Sequence, residues 1–264
     1  MIPLRVGRVG YINTFPLAWS LKDRLLPSTI AETLAVPTRL NALLAEGALD
    51  VANVSSIAYA QNASDWVLLP SICISADGAV DSVQLVTDVP LPAVQSIAVT
   101  SQSAASVALV RILFPEVEIR MEGATADARL LIGDEALRSV IEDATPHHDL
   151  GVLWRERTGL PMVFAVWAAL RTVDSERLVA LDHALASAAA DASEHAVLVA
   201  QAASEHYGFP AGFLARYFEK LRYRFTDRER EGLARYFELA AQAGIIDSAP
   251  PLVFAGITHH GVEA

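Results

Sequence analysis

Leu4-Arg-Val-Gly-Arg-Val-Gly-Tyr-Ile-Asn-Thr-Phe-Pro-Leu17 is the stretch on which the reading of this chain turns. Its first half, Leu4 to Val9, has the apolar, β-branched character of a buried strand. Its second half has Pro16, which fits the first turn of a helix running to about Leu26. Between them lie Asn13 and Thr14, an amide and a hydroxyl at the point where a strand hands over to a helix.

The same handover recurs downstream. Ala31 to Val36 reads as a second strand, followed by a helix from Arg39 to Glu46 with Thr38 as its cap and Gly47 as its stop. Leu49 to Val54 reads as a third strand, and Ser55-Ser56 opens the next helix. Strand alternating with helix predicts an α/β fold with a parallel sheet. Val67 to Ser75 and Ser82 to Thr87 add strands, Val89-Pro-Leu-Pro92 breaks the pattern, and Ser96 to Thr100 restarts it. Ser101, Ser103 and Ser106 lead into helical spacing from Val107 to Leu113. Ala128 to Ile132 is a further strand, with Gly133-Asp134 opening a helix and Asp134 as its cap. Asp149 to Trp154 and Phe164 to Trp167 follow. From Asp174 to about Gly244 the spacing is helical, and Arg222 to Glu231 reads as a solvated turn and helix start capped by Thr226 or Asp227. A closing block without strands must pack on the first α/β unit. Two lobes are therefore expected, residues 1–86 with 167–264 and residues 87–166, crossing near Val86 and Val166 around a cleft.

Composition narrows the function. The chain has 264 residues, of which 53% are hydrophobic, enough for a large core. Twenty Lys and Arg against 31 Asp and Glu give a net charge of −11, so neither a nucleic-acid footprint nor a polybasic membrane patch is expected. The single cysteine, Cys73, reads as a buried apolar residue. The first residues lack the pattern of a signal peptide, which points to the cytoplasm. No metal-spaced ligand set and no glycine-rich phosphate loop appear, and His147-His148 reads as a solvated loop. Neither a metal nor a cofactor is expected.

Four polar clusters sit where strands meet helices: Asn13-Thr14, Ser55-Ser56, Ser101 with Ser103 and Ser106, and Gly133-Asp134. Singly, each reads first as a helix cap. Together they occupy the place where α/β sheets bind ligands, with backbone N–H groups and helix dipoles that favour anions.

These residues also carry a resemblance. Gly7 to Leu17, Leu40 to Asp50, Ser55-Ser56, Ile74 to Val83, Asp127 to Leu137 and above all Asp149 to Trp167 are similar to the menaquinone-biosynthesis proteins of the futalosine route, the chorismate dehydratases more than their dihydroxynaphthoate-forming sisters. Ala105 and Met162 depart from the family pattern. The resemblance implies a two-lobed α/β fold of the type II periplasmic-binding-protein kind, with a central cleft and two crossing segments. It implies loss of water from chorismate to give 3-[(1-carboxyvinyl)oxy]benzoate. It also implies Asn13 and Asp134 as catalytic positions, with Thr14, Ser55, Ser56, Ser82, Ser101, Ser103, Ser106, Gly133 and Phe164 binding substrate. Asp134, at a helix start, is expected to have a lowered pKa and so to be a poor base, leaving the substrate's own enolpyruvyl carboxylate as the rival candidate. The alternative is a non-catalytic cytoplasmic binding protein or sensor for a small carboxylate.

Overall fold

The computed structural model describes residues 2–21 and 30–256, which fold around two β-sheets. The opening stretch forms strand β1 (Leu4–Val9), a single 3-10 turn (Ile12–Thr14) and helix α1 (Phe15–Leu21). The part of the expected first helix beyond Leu21 lies outside the described residues. Strand β2 (Ile30–Ala35), helix α2 (Pro37–Ala45), strand β3 (Val51–Ser55) and helix α3 (Ser56–Gln61) then repeat the strand–helix alternation. Thr38 does not cap α2. The helix starts at Pro37, whose missing N–H removes one of the donors a cap would serve.

The long strand β4 (Trp66–Ala76) leads out of the first sheet, and β5 (Val83–Val86) enters the second. There it is joined by β6 (Ser96–Ala98), β7 (Glu118–Arg120), β8 (Ala128–Ile132) and β9 (His147–Asp149), with helices α4 (Ala104–Leu113) and α5 (Gly133–Glu142) between them and α6 (Leu150–Thr158) after β9. The chain returns through β10 (Met162–Leu170), followed by α7 (Ser175–Glu194), α8 (Ala196–Tyr207), α9 (Ala211–Lys220), strand β11 (Arg222–Arg224) and α10 (Asp227–Gln242).

The first sheet has the order β11-β4-β10-β3-β1-β2 and the second β7-β6-β8-β5-β9. Both are mixed rather than parallel. β1 pairs in parallel with β2 and β3, but β10 runs antiparallel to β3 and β4 because it re-enters the sheet from the other side. β5 is likewise antiparallel to β8. The crossings fall a few residues before the expected points, at 77–82 and 159–161, since Val86 already pairs with Arg129 in the second sheet and Val166 with Val54 in the first.

The closing block is not free of strands. Arg222 to Arg224, expected as a solvated turn, add an edge to β4, and Thr226 then caps α10 in a reciprocal box with Glu229. His147 and His148 lie on the edge strand β9 instead of a loop, with the His147 ring against the Ser139 hydroxyl at 2.8 Å. Cys73 is buried as expected, and burial pushes its thiol pKa up.

One apolar cluster runs through both units, from Val54, Tyr236 and Phe237 to Leu85, Ile97 and Leu109. Trp154 of α6 meets Tyr236 of α10 edge-on at 5.9 Å. Two close approaches clamp the crossings. A Cβ on Gly151 would lie 2.3 Å from the Gly78 carbonyl oxygen, and one on Gly232 would lie 2.2 Å from that of Pro161. Any side chain at either position would push a crossing segment away from its helix.

Candidate functional site

The ends of β1, β3, β4 and β10 face α4 and the β8–α5 junction across a narrow cleft of about 50 Å³. Of the positions expected from sequence, Asn13, Ser55, Ser82, Ser103, Ser106, Gly133 and Phe164 line it. Thr14, Ser56, Ser101 and Asp134 do not.

Each lining hydroxyl or amide is held for a reason. Ser55, the last residue of β3, accepts a hydrogen bond from the Asn41 amide at 2.8 Å, which leaves its own proton to donate elsewhere. Ser103 caps α4 by accepting from the Ser106 N–H, and the two hydroxyls lie 2.9 Å apart. The α4 N-terminus thus points its dipole at the cleft. Ser82 sits on the first crossing, its carbonyl accepting from Gly133 N–H at 2.8 Å. Asn13 is anchored through its own carbonyl, which accepts from the Tyr223 hydroxyl at 2.7 Å, while its side-chain Oδ1 is buried without a partner. Asn53 Oδ1, also in the cleft wall, is equally unpartnered. Unpaired buried polar atoms are costly, so two amide oxygens on one cleft wall mark where a ligand's hydrogen-bond donor, such as a hydroxyl, would be satisfied.

The residues outside the cleft have other work. The Thr14 hydroxyl donates to the Val9 and Tyr11 carbonyls and accepts from Arg8. It closes the turn, because adjacent residues of a 3-10 turn point in different directions. Ser56 donates to the Phe164 carbonyl at 3.3 Å and thereby ties α3 to β10. Ser101 is exposed and bonded to Glu122 through both its N–H and its hydroxyl.

Asp134 overturns two expectations. It does not cap α5; its Oδ1 accepts from the Ile12 N–H at 3.0 Å, which joins the two units. Its pKa is raised, not lowered, because burial outweighs the Ile12 N–H and the charge of Arg138.

Sequence reading missed Tyr11, Asn41, Asn53 and Tyr217. The Tyr11 ring covers Gly133, where a Cβ would meet it at 3.1 Å, and its hydroxyl donates to Gln102 at 2.6 Å. Gly133 has φ +57°, so this position rejects side chains by conformation as well as by contact. Burial first, then the charges of Asp134, Glu122 and Glu135, push the Tyr11 pKa up to about 12. Tyr11 is the only ionisable side chain on the cleft wall among the described residues. Behind the wall, the buried Tyr217 phenol feels the Ser82 hydroxyl without meeting hydrogen-bond geometry, and burial raises its pKa.

A wider groove of about 250 Å³ adjoins the cleft and shares Ser103 with it. Thr38, Ile57 and Gln61 form one side, and α4 with Arg111 forms the other. Among the described residues no group of three or more His, Cys, Asp or Glu side chains is arranged to hold a metal, and no helix is long and apolar enough to cross a membrane.

Two sheets, two crossings and a cleft between them define a protein of the periplasmic-binding-protein-like class. Solved structures agree on the fold. Protein AF1704 of Archaeoglobus fulgidus superposes with a TM-score of 0.80 at 18% identity, covering 92% of this chain and 98% of that one. The alkanesulfonate-binding protein of Xanthomonas axonopodis pv. citri gives 0.67 at 16% identity, with 97% and 96% covered. Within that class, the menaquinone-biosynthesis family model matches residues 4–242, and the chain belongs to that family. The chorismate dehydratase of Thermus thermophilus is 33% identical, over 90% of this chain and 95% of that protein. That of Campylobacter jejuni is 31% identical over 62% and 67%.

Proposed function

We propose that this chain is a carbon–oxygen hydro-lyase that removes water from chorismate to leave 3-[(1-carboxyvinyl)oxy]benzoate. One observation carries the reading furthest. The cleft wall offers neutral donors from Ser55, Ser82, Ser103, Ser106 and Asn13, and no group able to take a proton at neutral pH.

That shortage suits this substrate. The hydrogen on the ring carbon bearing the ether is acidified, through one double bond, by the ring carboxylate. Removing it places charge on that carboxylate, loss of the adjacent hydroxide with a proton releases water, and the ring becomes aromatic. The enzyme therefore needs donors aimed at carboxylate oxygens where charge builds up and a geometry that keeps the side chain over the ring. The α4 N-terminus with Ser103 and Ser106 suits one carboxylate, and Asn13 with Ser55 suits the other. The enolpyruvyl carboxylate of the substrate then takes the ring proton. Asp134 acts as a tie between units, and the leaving hydroxyl is placed against Ser82.

We take the lobes to be the first-sheet unit, residues 2–21, 30–76 and 162–256, and the second-sheet unit, residues 83–158. A cleft of about 50 Å³ holds a few waters but not a ring with two carboxylates. Substrate therefore enters by opening at the crossings, and Arg111 in the adjoining groove is the cation a dianion meets on the way. The test is incubation of purified protein with chorismate. Consumption of chorismate with appearance of benzoate-type absorbance is expected. Intact chorismate with a raised Tm would instead show a binding protein, the reading that the sulfonate-binding fold relatives favour.

A further inference from the structure

The first crossing, between β4 and β5, has an unusual backbone conformation. Asp81 has φ +55°, the only positive φ of a non-glycine among the described residues, and Ser82 N–H reaches back to the Val80 carbonyl at 2.6 Å. A hydrogen bond spanning one residue of positive φ is a γ-turn of the rare, strained hand. Such strain persists only where the surroundings fix it, and it gathers at functional sites.

Two sets of contacts fix it here. On one side, Asp149 Oδ2 accepts from the N–H groups of Val80 at 2.9 Å and Asp81 at 2.7 Å, and from the Gln84 amide at 2.8 Å, while Asp149 Oδ1 caps α6. These contacts lie within the second-sheet unit and its crossing. On the other side, Lys220, the last residue of α9, pairs with Asp81 Oδ2 at 2.5 Å. This ion pair reaches the turn from the first-sheet unit, beside the buried Tyr217 of the same helix. The next residue along the crossing is Ser82, in the cleft wall, and the residue after Lys220 is Leu221, in the opposite wall.

We propose that Asp81 and Lys220 are a positioning pair for the reaction. The ion pair between α9 and the crossing holds the strained turn in the shut state and so aims the Ser82 hydroxyl at the substrate. Neither residue touches substrate; both act through Ser82. The inference rests on the chorismate reading of the cleft.

The test is steady-state kinetics with chorismate, thermal melting and a double-mutant cycle. Lys220→Met and Asp81→Asn should each raise KM about tenfold with kcat changed less than threefold. Asn tolerates positive φ, so Asp81→Asn removes the charge while leaving the turn allowed. Lys220→Arg, which keeps the cation, should stay within about twofold of wild type. Ser82→Ala combined with Lys220→Met should be no worse than Ser82→Ala alone, because the pair works through that hydroxyl. The proposal is overturned if Lys220→Met lowers Tm but leaves KM within twofold, or if its effect adds in full to that of Ser82→Ala. A wild-type protein that binds chorismate without consuming it would sink the dehydratase reading alone. The pair is then tested by the same variants through the thermal shift chorismate produces, which Lys220→Met should shrink. A wild type that neither consumes chorismate nor is stabilised by it would overturn both.

Discussion

Asp134→Asn separates two ways of moving the ring proton. In the structure the carboxylate accepts one hydrogen bond, from Ile12 N–H across the two units, and it stands beside the cleft and not on its wall. An amide oxygen can accept the same bond. The exchange turns a hydrogen bond to a charged acceptor, worth about 1.5–3 kcal/mol, into a neutral one worth about 0.5–1.5 kcal/mol. The tie therefore weakens by roughly 1 kcal/mol, which costs about fivefold in the shut population and no more than that in kcat/KM. A general base contributes about 10²–10⁴-fold, so the two roles are far enough apart to distinguish. Steady-state turnover should keep a tenth or more of the wild-type rate.

Stability supplies a second readout of the same variant. Burial raises the Asp134 pKa in the fold. A carboxyl whose folded pKa exceeds its unfolded one contributes most when protonated. That contribution is full below the ordinary carboxylate range and is lost as pH rises through the raised value. Asn cannot ionise, so the Tm of the variant relative to wild type should climb as pH goes from acid to neutral. Normal folding, normal chorismate affinity and a loss beyond 100-fold would refute the reasoning and make Asp134 the base.

Asn13→Ala removes a buried polar atom that has no partner, so Tm should hold or rise while kcat falls about tenfold; a drop in Tm with turnover kept would make Asn13 structural. Thr14→Ala does the reverse. It strips a hydroxyl from the Val9 and Tyr11 carbonyls and from the buried Arg8, and melting should show a loss of about 1–3 kcal/mol with kinetic constants little moved. Gly133→Ala forces a side chain into φ +57° and against the Tyr11 ring. About 1–2 kcal/mol of conformational cost should lower Tm by about 2–8 °C, and kcat/KM should fall as Tyr11 leaves Gln102. Arg111→Ala should lower kcat/KM a few-fold at low salt and hardly at all at high salt, where screening removes the steering of a dianion; a salt-independent effect would take Arg111 out of the entry route.

Much of the cleft was readable because it follows from local order. A strand that gives way to a helix leaves its junction at one edge of the sheet, so topology alone brings Asn13, Ser55, Ser103 and Gly133 to the same edge. Direction within a junction was not readable. Thr14 and Ser56 neighbour cleft residues in sequence but point into the fold, and no periodicity shorter than a turn could have said so. The contacts that join the two units were invisible for another reason: Tyr11 meets Gln102 across 91 residues and Ile12 meets Asp134 across 122. Composition and spacing carry no trace of such pairs. The expectation for the Asp134 pKa failed on the same point, since a helix start alone lowers a carboxylate's pKa, and only the burial of Asp134 in the folded chain makes desolvation the larger effect.

The burial of Asp134 bears on the chemistry. The protein carries a net charge of −11 and the cleft has no Lys, Arg or His on its wall, so a dianion bound there would be held by dipoles. Dipoles set by Asn41, by the Ser103 cap and by the turn before Ser82 are already oriented when substrate arrives, so charge moving onto the ring carboxylate meets donors that need not reorganise. A cationic wall would bind the two carboxylates more tightly, but on the proposed mechanism it would also lower the basicity of the enolpyruvyl group that takes the proton. Neutral donors would stabilise the developing charge on one carboxylate and leave the other basic enough to react. On this reasoning Ser55→Lys, which puts a cation on the Asn13 side of the cleft, should tighten chorismate binding and slow turnover. Tighter binding with undiminished kcat would show that the substrate carboxylate is not the base.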